Sequence, residues 1–523
     1  MRRASSVAVS LARFVAVFVP VAVALAALAL PVGRVRAAEP TACAATFTAP
    51  SGLTPAGEAV RRWVERAPLH GVDVALDPAA LAPRAPGDAA ARAAAEQAWA
   101  DALERLVAEL PARPRQVPIL QELPAHHYLS PDVLWRDAPP PVAAPEAVAA
   151  ACSAAAEGQL DAWLAARLPA HPQYARLVAA AEAYAAVCAP GEWAPVVLPK
   201  DAKAFDGPEV ATAIQARLAR EGFYAGQPTG AWDDAARAAV AAYRAARQLP
   251  PAKTGVVDAD LVAALNVPCR DRLAQIELNA RRWRVSAWRG EATSVQVNLA
   301  AQELRYFRDG ALAMTQRTVV GSTKYWFDPK RRQKVFIQST PILADSISRI
   351  ILNPEWAVPA RIARNELDAE VVKDPDYVAK HHFRLVDGPT GKTYIQASGP
   401  WNALGQIKIL FPNEESVYLH DTPGKKAFDL TVRALSHGCV RVQNAVDFGF
   451  ALLAGDAATG GAPFDEAAMR ERLKWVGGYV IDLKTEVPVF LEYYTVSVGE
   501  DGALRFHPDI YGYDAESLPR LVR

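Results

Sequence analysis

Apolar residues follow two different periods along the chain, and the change of period divides it. In the first part, residues 88–110 contain neither glycine nor proline and place Ala95, Trp99, Leu103 and Leu106 at helical spacing. From about Arg289, apolar and polar residues alternate instead, which is the spacing of half-buried strands. The pattern predicts a multidomain α+β protein with a helical N-terminal part and a β-rich C-terminal part.

The helical part is expected to span residues 38–200. A stiff loop is predicted at Pro139–Pro141, and a helix over Asp161–Leu168 ends before Pro169. His171 starts the next helix without a second metal ligand near it in sequence, so we expect it to be structural. The adjacent pairs at 126–127 and 381–382 are also histidines, but neighbouring side chains on a helix or strand point apart, and no metal site is predicted.

Residues 206–268 form a separate small unit. Its three predicted helices are Val210–Glu221, Asp233–Gln248 and Asp258–Leu265. Tyr224, Trp232 and Tyr243 could stack on sugars, although aromatic residues in so small a bundle more often form its core.

Residues 289–485 are predicted to form the β-rich domain. Strands are expected at 294–299, 303–307, 315–320, 340–343, 348–352, 407–411 and 416–420, with a hairpin turn at Asp309–Gly310, and residues 487–495, after this domain, alternate again. Residues 361–398 depart from the strand pattern and include a helix-like stretch over 361–372. A helix is predicted over 444–453.

Length and charge narrow the class of protein. With 523 residues the chain exceeds what one hydrophobic core usually serves, so two to four domains are expected. The 57 basic and 57 acidic residues cancel, so neither nucleic acid nor an acidic surface is indicated as a partner.

Residues 1–37 have the composition of a secretory signal. Three arginines precede an apolar run over Phe14–Leu30, and small residues surround a cleavage point before Ala38. An uncleaved membrane anchor is the alternative, because the run approaches the length needed to cross a bilayer. Cleavage would remove five arginines and no acidic residue, leaving a formal charge of minus five on an exported chain.

The five cysteines are Cys43, Cys152, Cys188, Cys269 and Cys439, and an odd count leaves at least one thiol unpaired. Cys439 is the one expected to stay free. Cys152 and Cys188 lie on neighbouring predicted helices and could form a disulfide in an oxidising compartment, whereas Cys43 and Cys269 are less obvious partners. Buried free thiols are the alternative.

His420 and Cys439 are the candidate catalytic residues. A neutral thiol is a poor nucleophile, so it needs an imidazole within hydrogen-bonding reach to take its proton. Gly438 allows a turn tight enough to aim backbone N–H groups at a developing oxyanion, and Ser436 and His437 could orient that loop. A packed thiol and an unrelated surface imidazole would explain the same residue types.

The residues around this pair carry a specific resemblance. His420, fifteen residues and then Ser436-His-Gly-Cys-Val-Arg441 resemble the active-site signature of the L,D-transpeptidases, cysteine enzymes that modify bacterial peptidoglycan. Segments 353–359, 399–408 and 411–413 resemble the large Gram-negative form of that family. In that form a helical scaffold domain and a small peptidoglycan-binding domain accompany the catalytic domain, and residues 206–268 resemble peptidoglycan-binding domain type 1.

The resemblance implies a role for further residues. Arg441 would pair with a carboxylate of the substrate, with an ion pair that braces its own loop as the alternative. Residues 361–398 would form a lid over the site, and Tyr394, Trp401 and Asn402 would lie at the cleft wall, through packing or substrate contact. Residues 486–523 would return toward the scaffold.

The resemblance also implies the reaction. Cys439 would attack a peptidoglycan stem peptide, His420 would move the proton, and the amides of Gly438 and Cys439 would hold the oxyanion. A second stem would then accept the acyl group in a 3-3 crosslink, in the periplasm and without a cofactor. Transfer to water, to a lipoprotein or to a D-amino acid remains open, as does a non-catalytic wall-binding role.

Overall fold

The computed structural model describes residues 43, 45–74, 89–112, 142–198, 207–252, 257–328, 333–388 and 391–521. The predicted leader, the loop at 139–141 and the histidines at 126–127 lie outside these residues. Within them, every helix is too short or too polar to span a bilayer.

The N-terminal part is helical, as predicted. It contains the short strands β1 (Thr48–Ala49) and β2 (Gly52–Leu53) and the helices α1 (Pro55–Arg66), α2 (Ala89–Glu109), α3 (Pro145–Ala156), α4 (Leu160–Ala165) and α5 (Pro172–Cys188). The predicted apolar face of α2 is buried, with Trp99, Leu103 and Leu106 at its centre. His171 caps α5 by accepting a hydrogen bond from the Gln173 N–H, which is a structural role.

Two disulfides connect the helical part, and their pairing corrects one prediction. Cys43 is bonded to Cys152, and Cys188 is bonded to Cys269, so the suggested Cys152–Cys188 bridge is wrong. Cys188 ends α5 and meets Cys269 at the start of a helix that follows the small bundle, α9 (Cys269–Arg284), which packs along α5. Sequence order alone does not show that these two helices are neighbours.

The small unit is the predicted three-helix bundle. Its helices are α6 (Pro208–Arg220), α7 (Asp234–Ala246) and α8 (Ala259–Leu265). Tyr224 and Tyr243 are buried in its core, so these two rings are not available to stack on sugars. Glu221 joins the bundle to α5, because its buried carboxylate pairs with Arg217 and Arg247 and accepts the Tyr184 hydroxyl.

The C-terminal part is built on a nine-stranded sheet. Strands that form it are β3 (Ser294–Asn298), β4 (Glu303–Arg308), β5 (Ala311–Gly321), β8 (Leu343–Leu352), β12 (Ile407–Leu410), β13 (Leu419–His420), β14 (Ala434–Ser436), β15 (Val440–Val442) and β16 (Tyr479–Glu492). Their order is β14-β5-β15-β13-β12-β8-β16-β3-β4, and β4 also pairs with β5. The sheet therefore closes on itself.

Apolar side chains fill the inner face of this sheet. Val297, Ile350 and Leu419 are fully buried there, and the helix α12 (Ala445–Ala458) packs Phe448 and Leu452 against them. The hairpin β6 (Tyr325–Asp328) and β7 (Gln333–Phe336) lies between β5 and β8 in the chain, and α13 (Glu466–Arg472) precedes β16.

Four predicted strands differ from those observed. The strand expected at 340–343 does not form, and β8 begins at Leu343 and includes the whole segment expected at 348–352. The strand expected over 416–420 contains only Leu419–His420, because Ser416 has a left-handed backbone with φ of 56° that interrupts an extended chain. Of the segment expected at 487–495, residues 487–492 are the second half of β16, so the sheet continues past residue 485 to Glu492.

The insertion between β8 and β12 folds as a unit of its own. It consists of the strands β9 (Trp356–Ala357), β10 (Phe383–Gly388) and β11 (Gly391–Gln396), a helical turn at Ala360–Ile362, a π-helix at Ala363–Leu367, and the helices α10 (Asp368–Lys373) and α11 (Tyr377–Lys380). Val358, Ile362 and Leu367 give it a separate small core. We call this insertion the lid.

The last residues join the sheet to the helices. The strands β17 (Val496–Val498) and β18 (Leu504–Phe506) pack with Tyr174 of α5 and Trp283 of α9 in one buried cluster. The final helix, α14 (Tyr513–Leu521), carries Asp514, whose buried carboxylate pairs with Arg282 of α9.

The buried His171 predicts a loss of stability in mild acid. Burial lowers the pKa of this imidazole to about 4, so the folded protein holds it neutral while the unfolded chain takes up a proton near pH 6.5. Its contribution is present above pH 6.5 and is lost as the pH falls toward 4, by about 2 kcal/mol between pH 7.5 and 5.

Chemical denaturation of wild type and His171→Asn across this pH range measures the contribution. Asparagine can still cap α5 but cannot take up the proton. The variant should be less stable at pH 7.5, and its free energy of unfolding should fall less toward pH 5. An equal fall in both proteins would contradict this assignment.

Candidate active site

Parallel pairing of β13 with β15 brings the predicted histidine and cysteine to the same region. Leu419 lies opposite Val440 and His420 opposite Arg441, and the Val440 N–H donates to the Tyr418 carbonyl at 3.1 Å. Because alternate residues of a strand point to one face, the side chain of His420 shares a face with that of Arg441. Cys439 is two residues before Arg441, and the thiol is close enough to Arg441 for its charge to shift the thiol pKa.

The next strand adds a lysine to this face. Lys408 of β12 lies opposite His420, and its Nζ is 4.0 Å from the centre of the Tyr418 ring. The charge of Lys408 acts on both the His420 imidazole and the Cys439 thiol. Five polar side chains therefore gather on one face of three adjacent strands: Lys408, Tyr418, His420, Cys439 and Arg441.

The loop that carries the candidate nucleophile Cys439, residues 436–439, which we call the nucleophile loop, is held by side-chain hydrogen bonds. Gly438 has φ of 123°, a conformation that favours glycine. The Ser436 hydroxyl accepts the Gly438 N–H at 3.2 Å and donates to the Cys439 carbonyl. On the other side of the loop, the Thr340 hydroxyl donates to the Gly438 carbonyl at 2.7 Å.

His420 is a buried, neutral imidazole. Its Nδ1 contacts the Asp421 carbonyl oxygen, which can only accept, so Nδ1 carries the proton and Nε2 keeps its lone pair. Burial, with the neighbouring charges of Arg441 and Lys408, lowers the pKa of His420 to about 3. At physiological pH the imidazole is therefore neutral, and its Nε2 is free to accept a proton.

The Cys439 thiol is partly exposed and also neutral at rest. Burial raises its pKa, while hydrogen bonding from Tyr418 and the charges of Lys408 and Arg441 act in the opposite direction. Sγ lies 3.7 Å from the Ser416 carbonyl oxygen. Among the described residues His420 is not a hydrogen-bond partner of this sulfur, so the side chain must turn from Ser416 before His420 can take its proton.

The sequence did not identify Lys408 and Tyr418 as residues of the site. Lys408 is the polar residue between Ile407 and Ile409, so strand alternation alone marks it as facing away from the core. What alternation does not show is that β12 lies beside β13, and this pairing makes Lys408 part of the site.

The surroundings of Arg441 test one of its two predicted roles, the bracing ion pair. Among the described residues its buried Nε has no hydrogen-bond partner, and burial lowers the pKa of the guanidinium while the nearby thiol opposes that shift. Within the described ranges no carboxylate forms a salt bridge with it. The bracing ion pair that was the alternative is therefore not seen.

The three residues predicted at the cleft wall have unequal exposure. Tyr394 is buried in the lid core and donates to Asp368 at 2.9 Å. Asn402 is fully buried, and its amide bonds the carbonyls of Pro354 and Ala397. Both therefore have packing roles.

Trp401 is the exposed member of the predicted set. Its side chain is 42% exposed and stacks on His382 at 3.6 Å between ring centres. Of the three residues, it is the one placed to meet a ligand.

The lid touches the nucleophile loop directly. His437 pairs with Glu366 of the π-helix, and Arg361 donates to the carbonyls of His437 at 3.2 Å and of Ile337 at 2.6 Å. His437 therefore connects the lid to the loop and does not face the thiol's polar neighbours.

The described part of the chain contains no candidate metal site. No group of three or more histidine, cysteine, aspartate or glutamate side chains there could hold an ion.

Three family models match the chain. The model of the L,D-transpeptidase catalytic domain matches residues 292–457, that of a "Putative peptidoglycan binding domain" matches residues 207–265, and that of a scaffold domain matches residues 42–180. A curated Haemophilus influenzae protein named "Putative L,D-transpeptidase" is 29% identical over 259 residues, which cover 46% of this chain and 48% of that protein. The chain thus spans about half the length of this relative.

Solved structures are more distant. An L,D-transpeptidase from Xylanimonas cellulosilytica is 18% identical, with 55% of this chain and 94% of that chain covered and a TM-score of 0.20. One from Stackebrandtia nassauensis is 13% identical, with 57% and 97% covered and a TM-score of 0.20. Scores this low support no statement about the present fold.

The matched models fit the architecture. The helical part, the three-helix bundle and the β-sheet domain contain the residues that match the scaffold, peptidoglycan-binding and L,D-transpeptidase catalytic models, respectively. The chain therefore contains a domain of the L,D-transpeptidase catalytic type beside a domain of the peptidoglycan-binding type.

Lys408 should increase the reactivity of the thiol. Removing this cation in Lys408→Met raises the pKa of Cys439 further, so the thiolate fraction at pH 8 should fall roughly three- to tenfold. The rate of alkylation by iodoacetamide, followed by intact-protein mass, reports that fraction. Lys426→Met is the matched control, because Lys426 is exposed in the turn after β13. Equal rates in both variants would remove Lys408 from the site.

Proposed function

We propose that this protein is a peptidoglycan L,D-transpeptidase that forms 3-3 crosslinks through a thioester on Cys439, with His420 as the base. One observation carries the proposal. A free thiol, a neutral buried imidazole and two cations gather on one sheet face, and a lid bonds to the loop that presents the thiol.

In the first step the thiol becomes acylated. Cys439 Sγ attacks the carbonyl that joins the L-centre of diaminopimelate to the terminal D-alanine, and His420 Nε2 takes the thiol proton. Collapse of the tetrahedral intermediate breaks the C–N bond, and the same proton passes to the departing amine. Because the pKa of His420 is held near 3, the imidazolium is short-lived and gives up its proton readily.

In the second step the thioester is consumed by an amine. The side-chain amine of a second diaminopimelate attacks the thioester carbonyl and His420 accepts its proton. The C–S bond then breaks, and the proton returns to the sulfur. Free enzyme and a direct crosslink between the two diaminopimelates result.

Of the two backbone amides predicted to hold the oxyanion, those of Gly438 and Cys439, we retain the Cys439 amide. The Gly438 N–H already donates to the Ser436 hydroxyl, so it is occupied within the loop. A backbone N–H aimed at the developing charge is worth roughly 10²- to 10³-fold in rate.

Arg441 and Lys408 suit a substrate that carries carboxylates. Stem peptides are anionic, and a partly buried guanidinium without a carboxylate partner among the described residues has its planar fork available. Trp401 would form the exposed apolar wall of the cleft.

The lid favours transfer over hydrolysis. Its contacts through Arg361 and Glu366 cover the nucleophile loop, and exclusion of water protects a thioester until an amine arrives. An L,D-carboxypeptidase would instead need water to reach the thioester.

The peptidoglycan-binding bundle would keep the enzyme on its polymer. Since Tyr224 and Tyr243 are buried, contact with glycan must come from other surfaces of the bundle. A wall substrate also supports the predicted location in the Gram-negative envelope.

Acylation by a carbapenem tests the nucleophile. Family resemblance implies that such a compound acylates the active-site thiol, so wild type should gain its mass on Cys439, and Cys439→Ala should gain none while unfolding at the same temperature. His420→Gln should slow the reaction roughly 10²- to 10⁴-fold, the usual contribution of a positioned base. An adduct that forms equally on Cys439→Ala would reject the assignment.

Products from purified tetrapeptide muropeptides separate the alternatives. Dimers joined through two diaminopimelates identify the transpeptidase, and tripeptides without dimers identify hydrolysis.

Arg441 should act on substrate binding. In Arg441→Leu the KM for stem tetrapeptide should rise roughly tenfold, as expected when one charge-assisted hydrogen bond is lost, and amidation of the substrate carboxylate should abolish the difference between wild type and variant. Steady-state kinetics with both substrates provides the check. An unchanged KM would leave Arg441 without a role in binding.

A further inference from the structure

The nucleophile loop is connected to helix α9 by a continuous series of buried and partly buried hydrogen bonds. It begins at the Gly438 carbonyl, which accepts the Thr340 hydroxyl at 2.7 Å. The same hydroxyl accepts the Gly321 N–H at 2.8 Å. Thr340 precedes β8 and is 1% exposed, so neither bond competes with water.

Tyr511 holds Thr340 in place. Its hydroxyl accepts the Thr340 N–H at 3.1 Å and donates to the Gly321 carbonyl at 2.8 Å, and the side chain is 1% exposed. The Tyr511 hydroxyl therefore connects the C-terminal segment both to Gly321 of β5 and to Thr340, the residue that bonds the Gly438 carbonyl. Gly321 allows this close approach, because a Cβ there would lie 2.2 Å from the Gln338 carbonyl oxygen.

The series continues from Tyr511 to helix α9. The Tyr511 N–H donates to the Tyr493 hydroxyl at 3.1 Å, and that hydroxyl donates to Asp509 at 2.7 Å. Asp509 accepts the Asp514 N–H at 3.0 Å, and Asp514 forms the buried pair with Arg282 of α9. The two ends of the series are therefore the nucleophile loop and α9, which packs along α5 of the helical part.

The geometry of the peptide bond shows what the Thr340 contact does. The C=O of Gly438 and the N–H of Cys439 belong to one planar trans peptide unit and point in opposite directions. Fixing the carbonyl on Thr340 therefore fixes the direction of the Cys439 N–H. Gly438 has few conformational restrictions of its own, so Thr340 adds from outside the loop a constraint on this carbonyl that the glycine backbone lacks.

We infer that Tyr511 and Thr340 are positioning residues that aim the Cys439 amide at the oxyanion, and that the C-terminal segment serves catalysis by anchoring them to helix α9, which packs along α5 of the helical part. The inference rests on the proposed function, since it assigns the support of that same site. The packing of the C-terminal segment against α9 would then contribute to catalysis.

Two reagents separate this role from a general effect on the thiol. Acylation by a carbapenem develops an oxyanion, whereas alkylation by iodoacetamide does not and depends on the thiolate alone. In Tyr511→Phe the ring stays packed against Phe336 and Tyr493 while both hydroxyl bonds are lost. Acylation should slow about tenfold, less than complete loss of an oxyanion donor, and alkylation should stay within about twofold of wild type.

Threonine substitutions give a rescue test at the next residue. Thr340→Val removes the hydroxyl and should slow acylation about as much as Tyr511→Phe, whereas Thr340→Ser keeps the hydroxyl and should retain most of the wild-type rate. Noncovalent binding of stem tetrapeptide should be unchanged in all of them, so that kcat falls and KM does not. Tyr184→Phe is the matched control, because it deletes a buried tyrosine hydroxyl that bonds Glu221 far along the chain from this series.

The α9 end is tested by Asp514→Asn, which weakens the pair with Arg282. Hydrogen exchange in peptides covering residues 436–441 should quicken in Asp514→Asn and in Tyr511→Phe but not in Tyr184→Phe. Faster exchange in Tyr511→Phe alone would restrict the inference to Tyr511 and Thr340 and overturn the part that concerns α9. Equal exchange in all four proteins would overturn both parts.

The outcomes distinguish the two proposals. If wild type is not acylated on Cys439, the proposed function fails. If wild type is acylated and Tyr511→Phe and Thr340→Val react equally fast, the positioning role alone is overturned. A parallel loss of acylation and alkylation would also overturn it, because it would show a change in the thiol and not in the oxyanion site.

Discussion

The parallel pairing of β13 with β15 is the constraint on which the active site depends. Strands this short, of two and three residues, contribute little hydrogen bonding by themselves. They stay in register because Leu419 and Val440 are fully buried in the sheet core on the opposite face. A shift of one residue would turn His420 into that core and bring Leu419 to the polar face. Apolar packing on one side thus determines the chemistry on the other.

The same pairing explains why His420 is neutral at rest. Lys408 and Arg441 flank His420 on the neighbouring strands, so protonation of the buried imidazole would place a third cation between two others. The two cations favour instead any negative charge that forms at the sulfur or on a bound ligand. In the proposed reaction this arrangement would stabilise the reacting state more than the resting state, which is the requirement for catalysis.

Much of the architecture could be predicted from the sequence, for reasons that differ between its parts. The helix over 89–109, the three-helix bundle and the strands β3 to β5 have strong local periods, so pattern alone located them. The pair His420 and Cys439 stood out through a motif. Contacts between distant segments could not be predicted in this way: the Cys188–Cys269 bridge, the place of Lys408 beside His420, and the support of Gly438 by Thr340 and Tyr511 all depend on which elements become neighbours.

The connectivity of the disulfides bears on how the chain would fold during the predicted export. Counting from the N-terminus, the first cysteine bonds the second and the third bonds the fourth. A chain that enters an oxidising compartment N-terminus first can therefore close each bridge as soon as its second sulfur arrives, before the fifth cysteine emerges. Cys439 would then meet no unpaired thiol within its own chain, and this order of entry would keep it reduced.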